Sequence, residues 1–235
     1  AEKIDGKGGE DYIFANKGND TIIGGSGNDT LHGNTGNDQL KGSSGNDLIY
    51  GNNDNDTLQG EGGNDELHGG SGIDEIHGGN DNDALYGDTD SDQLFGGNGD
   101  DTLNGGDGDD KMRGDNPNGE EGNDKFKASP GDDTIEDFYW GRDTLVASNN
   151  YEWDGGSIAT NSATKSATIN VLDKADGTVV GTTTVKFKDE DNFNDFLAEF
   201  NNSPSNGLPP VGASDDDSKL IYQSDGKDFE AIGGK

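Results

Sequence analysis

Gly24-Gly25-Ser26-Gly27-Asn28-Asp29-Thr30-Leu31-His32 is followed at once by Gly33-Asn34-Thr35-Gly36-Asn37-Asp38-Gln39-Leu40-Lys41. The same nine-residue unit runs without a gap from Gly6 to Arg113, twelve times over. A thirteenth unit carries a five-residue insertion, Asn116 to Glu120, and ends Gly122-Asn123-Asp124-Lys125-Phe126-Lys127. A fourteenth runs from Ala128 to Glu136. Glu2 and Ile4 fall at positions six and eight of an earlier, partial unit, so the sequence is expected to be cut from something longer. A repeat of this kind signals a solenoid, in which each unit buries its apolar side only by stacking on its neighbours.

Two positions hold in all fourteen units. The eighth is apolar: Ile13, Ile22, Leu31, Leu40, Ile49, Leu58, Leu67, Ile76, Leu85, Leu94, Leu103, Met112, Phe126 and Ile135. The sixth is Asp: Asp11, Asp20, Asp29, Asp38, Asp47, Asp56, Asp65, Asp74, Asp83, Asp92, Asp101, Asp110, Asp124 and Asp133. The fourth is Gly except at Asp54, Asp81 and Asp90, and Asp tolerates positive φ better than most residues. One unit therefore reads as a short strand, residues seven to nine, plus a sharp glycine turn. Two units make one turn of a flattened coil with two thin parallel sheets. Seven turns at roughly 4.8 Å per strand give a stack of about 34 Å.

Composition sets the energetic problem. Only 26% of the 235 residues are hydrophobic, 41 are Gly, and 49 acidic against 16 basic residues give a formal charge of −33. Such a chain is expected to be disordered unless something beyond apolar burial stabilises it. One inward aliphatic per strand cannot offset ordering entropy of about 1–2 kcal/mol per residue. Stacked turns place Asp20 near Asp38 and Asp38 near Asp56, a column of like charges on each edge. A hard divalent cation between turns reverses that sign, because Ca2+ takes 6–8 oxygen ligands from carboxylates and turn carbonyls. Six gaps on each side give at most about twelve sites, so calcium supplies both neutralisation and folding free energy.

The unit Gly96-Gly97-Asn98-Gly99-Asp100-Asp101-Thr102-Leu103-Asn104 resembles the nonapeptide of the RTX (repeats-in-toxin) family, and the resemblance covers residues 6 to 136. It implies an all-β parallel β-roll, a calcium-stacked two-sheet solenoid, with the fourteen position-six aspartates as ligands to about ten to twelve Ca2+. It implies carbonyls of positions two and four as helpers. Ala15 and Ala128, at position one, and the three position-four aspartates depart from the pattern. The resemblance further implies a secreted or cell-surface protein, exported by type I secretion machinery, that is disordered without calcium and folds outside the cell. Residues 1-136 are then the roll, 137-200 a capping region, and 201-235 a flexible acidic tail, a possible secretion-signal region.

The cap reading rests on Phe138, Tyr139 and Trp140, which suit the exposed end of the last coil. Asp143 offers a further ligand, with a solvated side chain as the preferred reading. Thr168 to Leu172 and Thr178 to Lys188 read as a hairpin around Asp176-Gly177. Asp191 to Phe200 reads as a short helix ended by Pro204, with Phe193, Phe196, Leu197 and Phe200 on the face that docks on the cap.

The acidic balance argues against nucleic acid and anionic membranes as partners. No apolar stretch approaches the roughly 20 residues of a membrane span. Ala1 to Asp5 is polar and does not read as a signal peptide. There is no cysteine, no His-Glu-x-x-His and no Gly-x-Ser-x-Gly, so the chain itself reads as non-catalytic. One feature keeps a second class open. Phe14, His32, Tyr50, His68 and Tyr86 share position nine on one sheet, a stripe that suits either sugar rings or simple cross-strand packing. The alternatives are thus a surface adhesin binding an extracellular glycan, or the accessory tail of a secreted enzyme such as an alginate epimerase or protease.

Overall fold

A computed structural model describes residues 1–117, 119, 121–146, 150–202, 220–221 and 230–231. The repeats form short strands, each turning back at a loop. On one side lie β1 (Lys3–Gly8), β3 (Thr21–Ser26), β5 (Gln39–Ser44), β7 (Thr57–Gly62), β9 (Glu75–Asn80), β11 (Gln93–Asn98), β13 (Lys111–Asp115) and β15 (Gly131–Phe138). On the other lie β2 (Tyr12–Phe14), β4 (Thr30–Thr35), β6 (Leu48–Asn53), β8 (Glu66–Ser71), β10 (Ala84–Thr89), β12 (Thr102–Asp107), β14 (Lys125–Lys127) and β16 (Thr144–Val146). Odd strands pair only with odd and even only with even, all parallel, so the chain winds as an all-β solenoid of two facing sheets.

The register is fixed by the period. Leu31 pairs with Ile49, Ile49 with Leu67 and Leu67 with Leu85, a step of 18 residues that keeps every position-eight side chain inward. From Ile22 to Ile135 these residues are 0–1% exposed and form one continuous core. Across the insertion the partners become Leu103 and Phe126, and Met112 and Ile135, so the extra five residues leave the roll without shifting its faces.

Three expectations change. Most strands are six residues, not three, because the chain stays extended through positions one to three. Position one is therefore the second inward residue of each strand. The coils number eight rather than seven, since β1 completes the first coil and β15 with β16 adds a last. Positive φ also occurs at position two, where Lys7, Ser43 and Glu61 adopt it at 74°, 87° and 77° beside the expected position-four Asp54, Asp81 and Asp90.

The odd sheet continues past the repeats into a meander. β19 (Val179–Phe187) adds parallel to β15, and β18 (Ser166–Asp173) and β17 (Tyr151–Asn161) follow antiparallel. The hairpin turns at Gly177, φ 71°. The helix α1 spans Glu190–Asn202, and Asp189 caps it by accepting the Asn192 N–H at 2.8 Å. Its Phe193 and Phe196 pack with Phe187, Phe138 and Trp140 over the end of the core. Asn192 fastens it there, its amide bonding both the N–H and the carbonyl of Trp140. The Phe200 side chain, Pro204 and most of the expected tail lie outside the described residues.

Candidate metal centre

Each position-six aspartate is placed by two facts of the repeat. Inward alternation buries it, and the 18-residue step sets it beside its equivalents in the coils before and after. Asp20 through Asp133 are 0–3% exposed, and they form two columns, one along each edge of the roll. Within a column each carboxylate reaches back one coil. Asp56 Oδ1 accepts the Asp38 N–H at 2.7 Å, Asp74 Oδ1 that of Asp56 at 2.7 Å, and Asp92 Oδ1 that of Asp74 at 2.7 Å. The other edge repeats this from Asp29 to Asp101.

The second oxygen is the unusual one. Oδ2 of every position-six aspartate from Asp11 to Asp124 is buried without a hydrogen-bond partner. A charged oxygen is the most costly group to leave so. The position-one glycine makes room for it: a Cβ on Gly33 would stand 2.5 Å from Asp38 Oδ2 and 2.9 Å from the Gly51 carbonyl. Glycine at position one thus leaves room for the carboxylate as well as for the turn. Two alanines take its place: beside Ala128, Asp133 Oδ2 accepts the Ser129 hydroxyl at 3.0 Å, whereas beside Ala15, Asp20 Oδ2 stays buried without a partner.

Burial drives these carboxyls upward. Asp56, Asp83, Asp92, Asp101, Asp124 and Asp133 are pushed up to about 8, with neighbouring column carboxylates adding to the effect. Asp65 rises to about 7 and Asp47, Asp74 and Asp110 to about 6, again by burial. The backbone N–H on each Oδ1 opposes the rise without cancelling it. Among the described residues no three carboxylate or imidazole side chains are grouped so that they alone could hold a metal ion. A cation in this setting would draw at most two carboxylates from a column, and turn carbonyls would complete its shell. The donor set is all oxygen, which suits a hard ion.

The structure overturns one preferred reading and adds one ladder that went unread in the sequence. Asp143 is not solvated: it is 5% exposed, and it accepts the Asp124 N–H at 3.1 Å and the Tyr139 N–H at 2.7 Å. It prolongs the column by one rung. Position five carries a second ladder, running the opposite way, in which Asn46 Oδ1 accepts the Asn64 N–H at 3.0 Å and Asn64 Oδ1 that of Asn82 at 2.9 Å. The recurrence of Asn at position five was the available signal. The insertion breaks neither ladder, since Asp124 still accepts from Asp101 at 2.9 Å and Asp100 from Asn123 at 2.9 Å.

The position-nine stripe is a stack. Phe14, His32, Tyr50, His68 and Tyr86 lie face to face, centroids 4.5–4.9 Å apart and planes within 16°. Their faces are spent on one another, which is the cross-strand packing arrangement, and mostly edges look outward. No helix among the described residues is long and apolar enough to cross a membrane.

A model of the RTX calcium-binding nonapeptide repeat, in four-copy blocks, matches residues 1–31, 32–67, 59–94, 86–116 and 118–136. No curated protein matches the chain.

Proposed function

The chain belongs to the family of the RTX calcium-binding nonapeptide repeat, matched over more than half its length, and we propose that its position-six aspartates, Asp11 to Asp133, are the calcium ligands. The family makes the repeat region a non-catalytic calcium-binding module of a secreted protein. The observation that carries the residue assignment is the buried, unpartnered Oδ2 repeating down both columns. Calcium supplies a divalent charge there, and the residues do the rest. The aspartates hold the ion, the position-one glycines leave space for their carboxylates, and the Oδ1 bonds fix each carboxylate in place.

In this reading the chain binds about ten to twelve Ca2+, one between successive turns on each edge. Without calcium the columns are unneutralised, the core is thin, and the repeats stay disordered. Low cytosolic calcium then keeps the chain unfolded for passage through type I secretion machinery, and external calcium folds it. The folded roll supports or displays a parent protein. Equilibrium dialysis at saturating calcium tests the assignment: a count near ten is expected, and a count of two or three would overturn it. The ring stack offers a glycan mostly edges, so calcium is the only ligand class we assign.

A further inference from the structure

The strand β19 arrives from a hairpin rather than from the repeats, yet it copies their second half. Gly181, Thr182, Thr183, Thr184 and Val185 pair in parallel with Gly131, Asp132, Asp133, Thr134 and Ile135, which are positions four to eight of the last unit. The copy extends to detail. A Cβ on Gly181 would stand 1.9 Å from the Gly131 carbonyl, as one on Gly27 would stand 2.1 Å from that of Gly9. The Thr182 N–H bonds Asp132 Oδ1 at 3.1 Å, the position-five ladder bond that Asp132 itself makes to Asp109 at 2.9 Å. Val185 takes the inward position-eight place, 2% exposed.

In that frame Thr183 stands in the aspartate slot. It is 0% exposed, and its Oγ1 is buried without a partner. Apart from His32 Nε2, every other buried side-chain atom so left among the described residues is a position-six Oδ2. The Thr183 hydroxyl thus shares both the register and the unsatisfied state of the calcium-facing oxygens. Its Cα partner, Asp133, is 1% exposed; its Oδ1 accepts the Asp110 N–H at 3.1 Å and its Oδ2 the Ser129 hydroxyl at 3.0 Å, and each carboxylate oxygen keeps a further lone pair for a cation.

We propose that Thr183 closes its column as a hydroxyl ligand, holding with Asp133 one further calcium ion that the count of repeats does not include. This rests on the assignment of the position-six aspartates. A hydroxyl brings an oxygen but no charge, so this is the weakest site of the column, because ligand charge count tunes calcium affinity. It lets the roll end on a strand that adds no further buried carboxylate.

The test is calcium stoichiometry and stepwise affinity on the full chain by equilibrium dialysis and calorimetry. Thr183→Val is expected to bind one ion fewer than the parent, and Thr183→Ser to bind the same number. Thr183→Asp is expected to keep the count and tighten the weakest site about tenfold. An unchanged count in Thr183→Val overturns the proposal. If that variant does not fold in saturating calcium, Thr183→Asp decides, and an unaltered weakest site overturns it. Asp74→Ala is the control. A lower count in Asp74→Ala with none lost in Thr183→Val sinks this inference alone, whereas no loss in Asp74→Ala sinks the aspartate assignment beneath it.

Discussion

The repeat coils and the C-terminal cap share one sheet but solve the same problem differently. In the coils the core is one aliphatic per strand, and beside it run buried carboxylates whose Oδ2 atoms find no donor in the chain. In the cap the core is a cluster of Phe138, Trp140, Phe187, Phe193 and Phe196, and the carboxylates are answered by the protein itself. Asp143 receives two backbone N–H groups, and Asp137 receives those of Gly114 and Asp115. On the calcium reading proposed above, aromatic burial and internal donors leave the cap little dependent on ions, whereas thin burial and orphaned oxygens leave the coils dependent on them.

The largest effects expected from substitution separate the two cores. Phe187→Ala, 6% exposed in the parent, should cost about 4 kcal/mol whether or not calcium is present. Leu58→Ala should cost about 3 kcal/mol in calcium and have no measurable transition in chelator, where the coils are already unfolded. Urea denaturation of each variant in both conditions checks this. Equal calcium sensitivity in both variants would erase the distinction.

Next come the carboxylates. Asp74→Asn keeps an oxygen for the Asp56 N–H and removes the charge, so it should cost about 2 kcal/mol in calcium and raise the calcium midpoint of folding. Asp137→Asn, held by two N–H groups, should cost a similar amount with or without calcium.

The third comparison is with pH in the absence of calcium. Carboxyls such as Asp56, Asp83 and Asp92, lifted to about 8 in the fold, bind more protons folded than unfolded. Their contribution is fully favourable below the ordinary carboxylate range and is lost as pH rises from about 4 through about 8. In chelator, β-structure in the coils should therefore increase on going from pH 8 to about pH 4.5, as far-UV circular dichroism would report. In calcium the order inverts, because protons compete with the ion, and affinity should rise with pH.

The smallest effect is at the ring stack. Tyr50, packed between His32 and His68 at 4.8 and 4.9 Å, should lose about 1 kcal/mol as Tyr50→Ala, with the calcium count unchanged. The Asp88 carboxylate, and then that of Glu66, hold the neighbouring His68 above the usual imidazole range, while burial lowers His32. The two imidazoles of one stack should thus titrate on opposite sides of the ordinary imidazole range by nuclear magnetic resonance.

What the sequence made legible follows from what a side chain declares. Asp at position six and an aliphatic at position eight announce the columns and the core, because burial there admits little else. The strand length was hidden because positions one to three are mostly small or polar, so the extended backbone there carries no alternation to read. Position two was legible where it carries Asn16, Asn34, Asn52, Asp88 or glycine, which suit positive φ, and hidden only at Lys7, Ser43 and Glu61, on which the coil imposes it. For Asp143 the solvated reading prevailed over that of a further ligand because it joins its column 19 residues after Asp124, with no glycine frame around it. The half-repeat in β19 was hidden because the chain reaches it through a hairpin, and its Thr183 lacks the carboxylate that marks the slot.

The most direct test of the central claim is residue-resolved hydrogen exchange along a calcium titration, from excess chelator to about 10 mM. The account predicts that amides of β3 to β13 exchange freely in chelator, become protected together as calcium rises, and gain no protection from magnesium, while β18 and β19 are protected at lower calcium than the coils. Protection of β3 to β13 in excess chelator would contradict it.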